Sequence, residues 1–182
     1  MKKEFWDFDE EKNYITINIQ ERNYKVINKF PDYKYAAIIL NEIHNIIIKI
    51  CIYLKINYYK YLKNDQIIID CFCDIHPNNY LLSEMQLETN FYGINKPRNL
   101  YNSNKSPIGK DKNLRASYRH VFITLRNKNG KFNDKNTIMK LVIHEITHTM
   151  CNHVTWRDDD HGKDFKHAEK LITDVYMKIS DL

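Results

Sequence analysis

Apolar and polar residues alternate in two short stretches near the beginning of the 182-residue chain. Over Tyr14–Ile19 isoleucine occupies every second position, which is the period of a half-buried β-strand. Gln20–Asn23 is polar, and Tyr24–Ile27 has the composition of a returning strand. The pattern therefore predicts a β-hairpin.

A long apolar segment follows, from Tyr33 to about Leu54. It is rich in isoleucine, which is not a favoured helix residue, so we predict a helix that is held by burial. Polar residues such as Glu42 and Lys49 interrupt the segment. Because a membrane span needs about 20 predominantly apolar residues, we expect a core helix and no membrane contact.

The middle of the chain contains shorter apolar runs. Ile67–Phe72 predicts a buried strand, and Leu81–Leu87 fits either a strand or a helix. Tyr118–Leu125 alternates in places and predicts a further strand. It is followed by Asn127–Gly130, whose Asn-Gly dipeptide is a strong turn signal.

Two helices are predicted in the last third of the chain. Asp134 is a suitable N-cap for a helix that extends to about His153. After the polar segment Thr155–His161, a final helix is expected over about Lys163–Ser180. Together these elements predict a single α+β domain over residues 1–182, with a mixed sheet of about four strands. The apolar face of the final helix comprises Phe165, Ala168, Leu171, Ile172, Val175, Tyr176 and Ile179.

Composition removes several classes of protein. Four glycines and four prolines exclude collagen-like and linker sequences, and 43% hydrophobic residues argue against disorder. The four cysteines form neither a disulfide framework nor paired zinc-knuckle spacings, so the reduced thiols of an intracellular protein are expected. Met1–Glu11 is too charged for a signal peptide. We therefore expect a protein of the cytoplasm or nucleus.

The candidate chemistry lies in the helix predicted after Asp134, which contains the HExxH motif His144-Glu145-Ile146-Thr147-His148. Residues four apart are separated by about 40° around a helix, so both imidazoles face the same way and can bind one zinc ion. Glu145 then lies beside the metal. There a carboxylate can take a proton from water and pass it to a leaving amine.

Catalytic zinc takes three protein ligands, so a third ligand is needed. His161 is the best placed, because the polar segment before it lets the chain reverse and Gly162 follows it. His153 could be a ligand only if the helix ended near Met150. The remaining candidates are His167, Glu169 and the acidic run Asp158–Asp160.

The HExxH motif, the polar loop and the segment His161-Gly162-Lys163-Asp164-Phe165 resemble the SprT-like and WLM zinc metalloproteases. These include the Spartan-type proteases, which digest proteins covalently trapped on DNA. The resemblance covers about residues 117–171. It implies a small zincin-like domain, closed by the C-terminal helix, in which Phe165 packs behind the third ligand. It also implies that His144, His148 and His161 bind Zn²⁺ and that Glu145 is the general base.

The resemblance also has implications for the substrate. In the family, the strand before the HExxH helix borders the cleft and pairs with extended substrate, which here implies Tyr118–Leu125. The resemblance therefore implies a protein or peptide as the substrate and DNA as an associated partner. The basic stretch Lys96–Arg119 and the net charge of +5 are compatible with DNA, and also with a solvated lysine-rich loop.

The chain departs from the family pattern in two respects. Twelve residues separate His148 from His161, which is fewer than in SprT proteins and more than in WLM proteins. No cysteine follows Cys151, so a C-terminal zinc ribbon is not expected. With a composition rich in residues that have A/T-rich codons, this suggests a compact stand-alone member, such as a viral one.

Two other functions are compatible with the same residues. A zinc hydrolase acting on a non-protein substrate would share the motif and differ in its cleft. A non-catalytic binding protein would use the histidines as a structural metal site. For an enzyme, the candidates for stabilising an oxyanion are Tyr118, His120 and Arg157. The sequence makes no prediction of oligomeric state.

Overall fold

The computed structural model describes residues 13–73, 80–85, 93–97, 119–150 and 161–180. These residues form a five-stranded mixed sheet and four α-helices, which confirms the α+β class. The strands are β1 (Tyr14–Ile19), β2 (Arg22–Ile27), β3 (Tyr80–Glu84), β4 (Gly93–Pro97) and β5 (Arg119–Ile123). The helices are α1 (Tyr33–Ile56), α2 (Lys63–Cys73), α3 (Lys135–Met150) and α4 (Lys163–Ser180), with a short 3₁₀ turn at Tyr58–Lys60.

The strand order across the sheet is β1-β2-β3-β5-β4. β2, β3 and β5 run parallel to one another, whereas β1 and β4 pair antiparallel at the two ends. Among the described residues, β1 and β4 are therefore the edge strands. β5 has a neighbour on each side, since Val121 pairs with Leu82 of β3 and with Asn95 of β4.

The predicted N-terminal hairpin is confirmed, although its second strand begins at Arg22 and not at Tyr24. The connecting residues Gln20 and Glu21 both have positive φ, at 51° and 65°. Positive φ at both central positions characterises the two-residue turn that matches the twist of paired strands. The pairing of β1 with β2 is therefore determined by the turn between them.

Helix α1 confirms the long helix predicted from Tyr33. By length and composition α1 could cross a membrane, but half of its most apolar window is buried inside the protein, and core helices meet the same criterion. α1 packs mainly against β2, β3, α2 and α4. Among the described residues, α4 is the main helical neighbour of α3, the helix that contains the HExxH motif.

A single buried cluster joins the helices to one face of the sheet. The isoleucine-rich segment of α1 supplies many of its residues. Because isoleucine is not a favoured helix residue, this burial is what stabilises α1. The neighbouring elements complete the cluster with aliphatic side chains from three strands and from α3 and α4. Its members include Leu40, Ile47, Val26, Leu82, Val121, Ile123, Val142, Ile146, Ala168 and Ile172.

The prediction of a strand over Ile67–Phe72 is wrong, because this segment belongs to α2. Ile69 and Phe72 are buried, while Ile67 is 56% exposed, so the apolar residues follow a helical and not a two-residue period. A six-residue segment that is mostly apolar fits either structure. Packing of α2 against α1 and α3 decides between them.

The same correction changes the arrangement of the cysteines. Residues two apart share one face of a strand, whereas in a helix they differ by about 200° around the axis. Cys73 lies at the end of α2, with its Sγ 3.3 Å from Sγ of Cys51 on α1. Both thiols are free, so the two helices meet at a reduced cysteine pair.

A buried arginine fixes the segment between β5 and α3. Arg126 is 2% exposed, and its Nε lies 2.8 Å from Oε1 of the buried Glu84, while its Nη2 lies 2.8 Å from Oδ1 of Asp32. The guanidinium lies between the rings of Phe30 and Phe132, at 4.3 Å and 3.9 Å from their centroids. This cluster connects β3, the start of α1 and the approach to α3.

The turn and cap predicted before α3 are confirmed. Gly130 donates its N–H to the carbonyl of Asn127 at 2.9 Å and has a φ of 76°, which favours glycine. Asp134 Oδ1 accepts the N–H of Thr137 at 2.9 Å, as an N-cap should. The start of α3 is therefore defined by local sequence.

Candidate metal centre

The two histidines of the HExxH motif lie one turn apart on α3. His144 and His148 have ring centroids 5.1 Å apart, and both are half-buried, whereas the neighbouring Ile143 and Ile146 are buried. The motif therefore lies at the border between the core and solvent. Both imidazoles face the same side of the helix, as the spacing of four residues predicts.

His161 reaches the same place from the beginning of α4. Its ring centroid is 4.9 Å from that of His144 and 5.2 Å from that of His148. One ring nitrogen from each of the three residues can be chosen so that all lie within 4.8 Å of one another. The prediction that the chain returns His161 to the other two histidines is confirmed.

One pair of ring nitrogens is spaced as two ligands of a single small cation would be. Nε2 of His161 lies 3.1 Å from Nε2 of His144. Two nitrogens bound to one tetrahedral zinc ion at 2.0–2.1 Å would be about 3.3 Å apart. Three neutral imidazoles are a ligand set that zinc commonly takes in catalytic sites. The described residues thus offer a three-histidine site of suitable size.

Phe165 packs under all three imidazoles. It is 1% exposed, and its ring centroid is 5.1 Å from that of His144 and 4.7 Å from those of His148 and His161. Its predicted place behind the third histidine is confirmed, and it supports the other two as well. One buried aromatic ring on α4 therefore holds side chains from two different elements in position.

Glu169 contacts His144 and not the common centre. Its Oε1 lies 3.1 Å from Nδ1 of His144. A carboxylate at this nitrogen favours the tautomer with the proton on Nδ1, which leaves Nε2 free to bind a cation. Sequence reasoning considered Glu169 as a third ligand. A contact between side chains 25 residues apart can be recognised only once α3 and α4 are placed together.

The remaining candidates for the third ligand have other positions. His167 Nε2 lies 2.6 Å from Oδ1 of Asp65 on α2 and is not in the three-histidine cluster. His153 and Asp158–Asp160 lie outside the described residues. Within the part of the chain that the structure describes, His161 is the residue that completes the cluster.

The carboxyl group of Glu145 lies against the beginning of β4. Glu145 is 6% exposed, and burial raises the pKa of its carboxyl to about 8. A cation bound by the histidines would lower this pKa again. A Cβ atom at Gly93 would lie 2.5 Å from Oε1 of Glu145, so the backbone of residue 93 directly contacts the carboxyl group.

The strand beside the site is β4 and not Tyr118–Leu125. The resemblance implied that the latter segment pairs with substrate, but its described core, β5, already has β3 and β4 as neighbours. No other described strand pairs with the outer edge of β4. The expected role therefore cannot belong to β5. Sheet order depends on contacts far apart in sequence, and the only local signal was Gly93 in a glycine-poor chain.

Of the three candidates for stabilising an oxyanion, the structure describes only His120. Tyr118 and Arg157 lie outside the described residues. His120 alternates with the core residue Val121, so its side chain is on the opposite face of the sheet, where Nε2 lies 2.8 Å from Oγ of Ser83. His44 on α1 is a core histidine, at 2% exposed.

Most of the basic stretch Lys96–Arg119 lies outside the described residues, so its predicted contact with DNA stays a prediction. Comparison of the chain with protein-family models, curated proteins and solved structures gave no significant match. The resemblance to SprT-like and WLM proteases therefore depends on the motif and its spacing alone. The geometry of the site provides a separate basis for considering function.

Proposed function

We propose that the chain is a zinc-dependent metallopeptidase with a zincin-like domain. The observation that supports this most directly is the convergence of His144, His148 and His161, with ring nitrogens within 4.8 Å of one another. The second residue of the same motif, Glu145, is buried next to the cluster on the same helix. Three imidazoles and an adjacent carboxylate are a set of protein groups that can support zinc-dependent hydrolysis.

In this proposal each residue has one role. The three histidines hold Zn²⁺, which when bound supplies Lewis acidity to the site. Glu169 orients the ring of His144 through Nδ1. Glu145 accepts the proton of the attacking water and returns it to the leaving amine, which is general base followed by general acid catalysis. Phe165 keeps the three rings together from the protein interior.

The position of β4 supports a peptide as substrate. β4 is an edge strand among the described residues, and it begins against Glu145. An edge strand presents unpaired N–H and C=O groups, to which an extended peptide can add as a further strand. Such a peptide would pass its backbone beside the carboxylate. The sequence resemblance adds proteins attached to DNA as the substrate class to be tested first.

The test combines metal analysis with cleavage assays. We expect the purified chain to bind about one equivalent of zinc and to cleave casein or a DNA-bound protein. Glu145→Gln should keep the metal and lose cleavage, because the amide cannot accept the proton. The matched control is Glu42→Gln, at an exposed position on α1, which should leave both properties unchanged.

The other outcomes separate the alternative functions. A chain that takes up no zinc, or a fully active Glu145→Gln variant, would refute the proposal. Zinc binding without cleavage of any protein substrate would favour a hydrolase of non-protein substrates or a structural metal site. Salt-sensitive binding to single-stranded DNA at low salt would support the DNA-associated substrate class. Absence of that binding would remove this class and leave the peptidase proposal standing.

A further inference from the structure

We propose that Gly93 is a positioning residue for Glu145, and that the missing side chain at the beginning of β4 provides the space in which the carboxyl group is held. The inference builds on the proposed function, because it concerns the residue to which we assign proton transfer. It adds a residue outside the HExxH motif, and outside the region of family resemblance, to the requirements of the site.

The contact involves most of the Glu145 side chain. A Cβ atom built on Gly93 would lie 2.5 Å from Oε1, 2.7 Å from Cγ and 2.8 Å from Cδ of Glu145. Separations below 3.0 Å essentially never occur for real Cβ atoms. Three atoms along the side chain are affected, so rotation of the carboxyl group alone cannot relieve the overlap. The side chain of Glu145 therefore lies against the backbone of residue 93.

Backbone conformation does not explain a glycine at this position. Gly130 has a φ of 76° and needs glycine for its turn, whereas Gly93 is not among the residues with positive φ. Gly93 is a paired strand residue opposite Ile123. Glycine weakens the interior of a strand and often marks close approach of another group. Space for Glu145 is the reason that the structure provides.

The surroundings restrict where a displaced carboxyl group could go. Residues 142 and 149 flank Glu145 on its own helix one turn away, and Val142 and Thr149 are 1% and 3% exposed. Ile123, the partner of Gly93 on β5, is fully buried. A methyl group at position 93 must therefore shift either β4 or the carboxylate. A displacement of about 1 Å in a reacting group can reduce turnover by about 100-fold.

The first experiment measures the contact without any assay of activity. Gly93→Ala is made in the wild-type chain and in a Glu145→Ala chain, and melting temperatures are compared. We expect a decrease on the order of 5 °C with Glu145 present, as overpacking produces, and little change when position 145 is alanine. Equal decreases in both backgrounds would overturn the proposal, because the added methyl group would then be meeting something else.

The second experiment measures catalysis by the zinc-loaded full chain. Gly93→Ala should lower kcat by about 100-fold while zinc content and KM stay near those of the wild type. An unchanged kcat would overturn the positioning role. Gly93→Val should have a larger effect than Gly93→Ala in both measurements, since its side chain is bulkier. If Gly93→Ala does not fold, the Gly93→Ala/Glu145→Ala chain should fold, and failure of both would overturn the proposal.

The two experiments also separate this inference from the proposed function. An active wild-type chain with additive melting temperatures would refute the role of Gly93 and leave the peptidase proposal intact. An inactive wild-type chain would refute the peptidase proposal, and Gly93 would then have no reacting group to position. In that case the comparison of melting temperatures would still decide whether residues 93 and 145 are in contact.

Discussion

Oε1 of Glu169 on α4 lies 3.1 Å from Nδ1 of His144 on α3, so a carboxylate 25 residues away in sequence determines how the first histidine of the motif is presented. Carboxylates in this position fix the tautomer of a metal-binding imidazole and increase its basicity. The contact also joins the two helices that supply the three histidines. Removal of the Glu169 carboxylate should therefore reduce zinc affinity more than it reduces the stability of the fold.

We expect Glu169→Ala to weaken zinc binding by about 10- to 100-fold, as loss of such partners does in established zinc sites. Competition with a chromogenic chelator measures the affinity. Asp174→Ala is the matched control, because Asp174 is an exposed carboxylate on the same helix. Equal affinities for Glu169→Ala and the wild type would show that the contact does not orient His144.

The buried arginine provides a test of the fold that is independent of metal. Arg126→Met should lower the free energy of unfolding by about 3–5 kcal/mol, because it leaves the buried carboxylate of Glu84 without its partner. Urea denaturation measures the difference. Arg22→Met should cost much less, since Arg22 is only half-buried and bonds to the side chain of Asn45.

Replacing both members of the Arg126–Glu84 pair supplies the internal check. Burial raises the pKa of the Glu84 carboxyl, so the folded protein tolerates a neutral group there better than an unpaired charge. Arg126→Met/Glu84→Gln should therefore recover part of the stability lost in Arg126→Met. Additive losses in the double variant would contradict the pairing.

The cap of α3 should make stability depend on pH in the acidic range. Hydrogen bonds from the side chain and backbone of Thr137 lower the pKa of Asp134 in the folded protein. A carboxyl whose pKa is lower when folded stabilises the protein above its unfolded pKa, and this contribution is lost as the pH falls through the folded pKa. Asp134→Ala should therefore lower the melting temperature at neutral pH, and the deficit should shrink in acid.

Asparagine separates capping from charge at this position. Asn is as good an N-cap as Asp but does not titrate, so Asp134→Asn should melt close to the wild type at neutral pH. Thermal melts of the three chains across the acidic range provide the comparison. A deficit of Asp134→Ala that is the same at every pH would exclude a contribution from the charged carboxylate.

Elements with strong local signals were predictable from sequence. The helices α1 and α4, the hairpin, the turn at Asn127–Gly130 and the cap at Asp134 each have a period or a turn residue that fixes them locally. The mostly apolar run at Ile67–Phe72 suits a strand and a helix alike. Only its packing against other elements determines that it is a helix.

The candidate site was predictable in part for the same reason. His144 and His148 are related by helix geometry, and Gly162 with the polar segment before it indicated the return of His161. The partner role of Glu169, the contact of Gly93 with Glu145 and the edge position of β4 all depend on tertiary contacts. No spacing within a single element reports such contacts.

Two of the three histidines lie on α3 and His161 lies just before α4, so metal binding at this site would be linked to the docking of the last helix. His161 and Phe165 reach the site only when the face of α4 that contains Ala168 and Ile172 is buried. By thermodynamic linkage, an ion that binds only when the helix is docked would stabilise the docked state, by a free energy that increases with the ion concentration. The C-terminal helix would then be digested more slowly by an added protease when metal is bound than when it is absent.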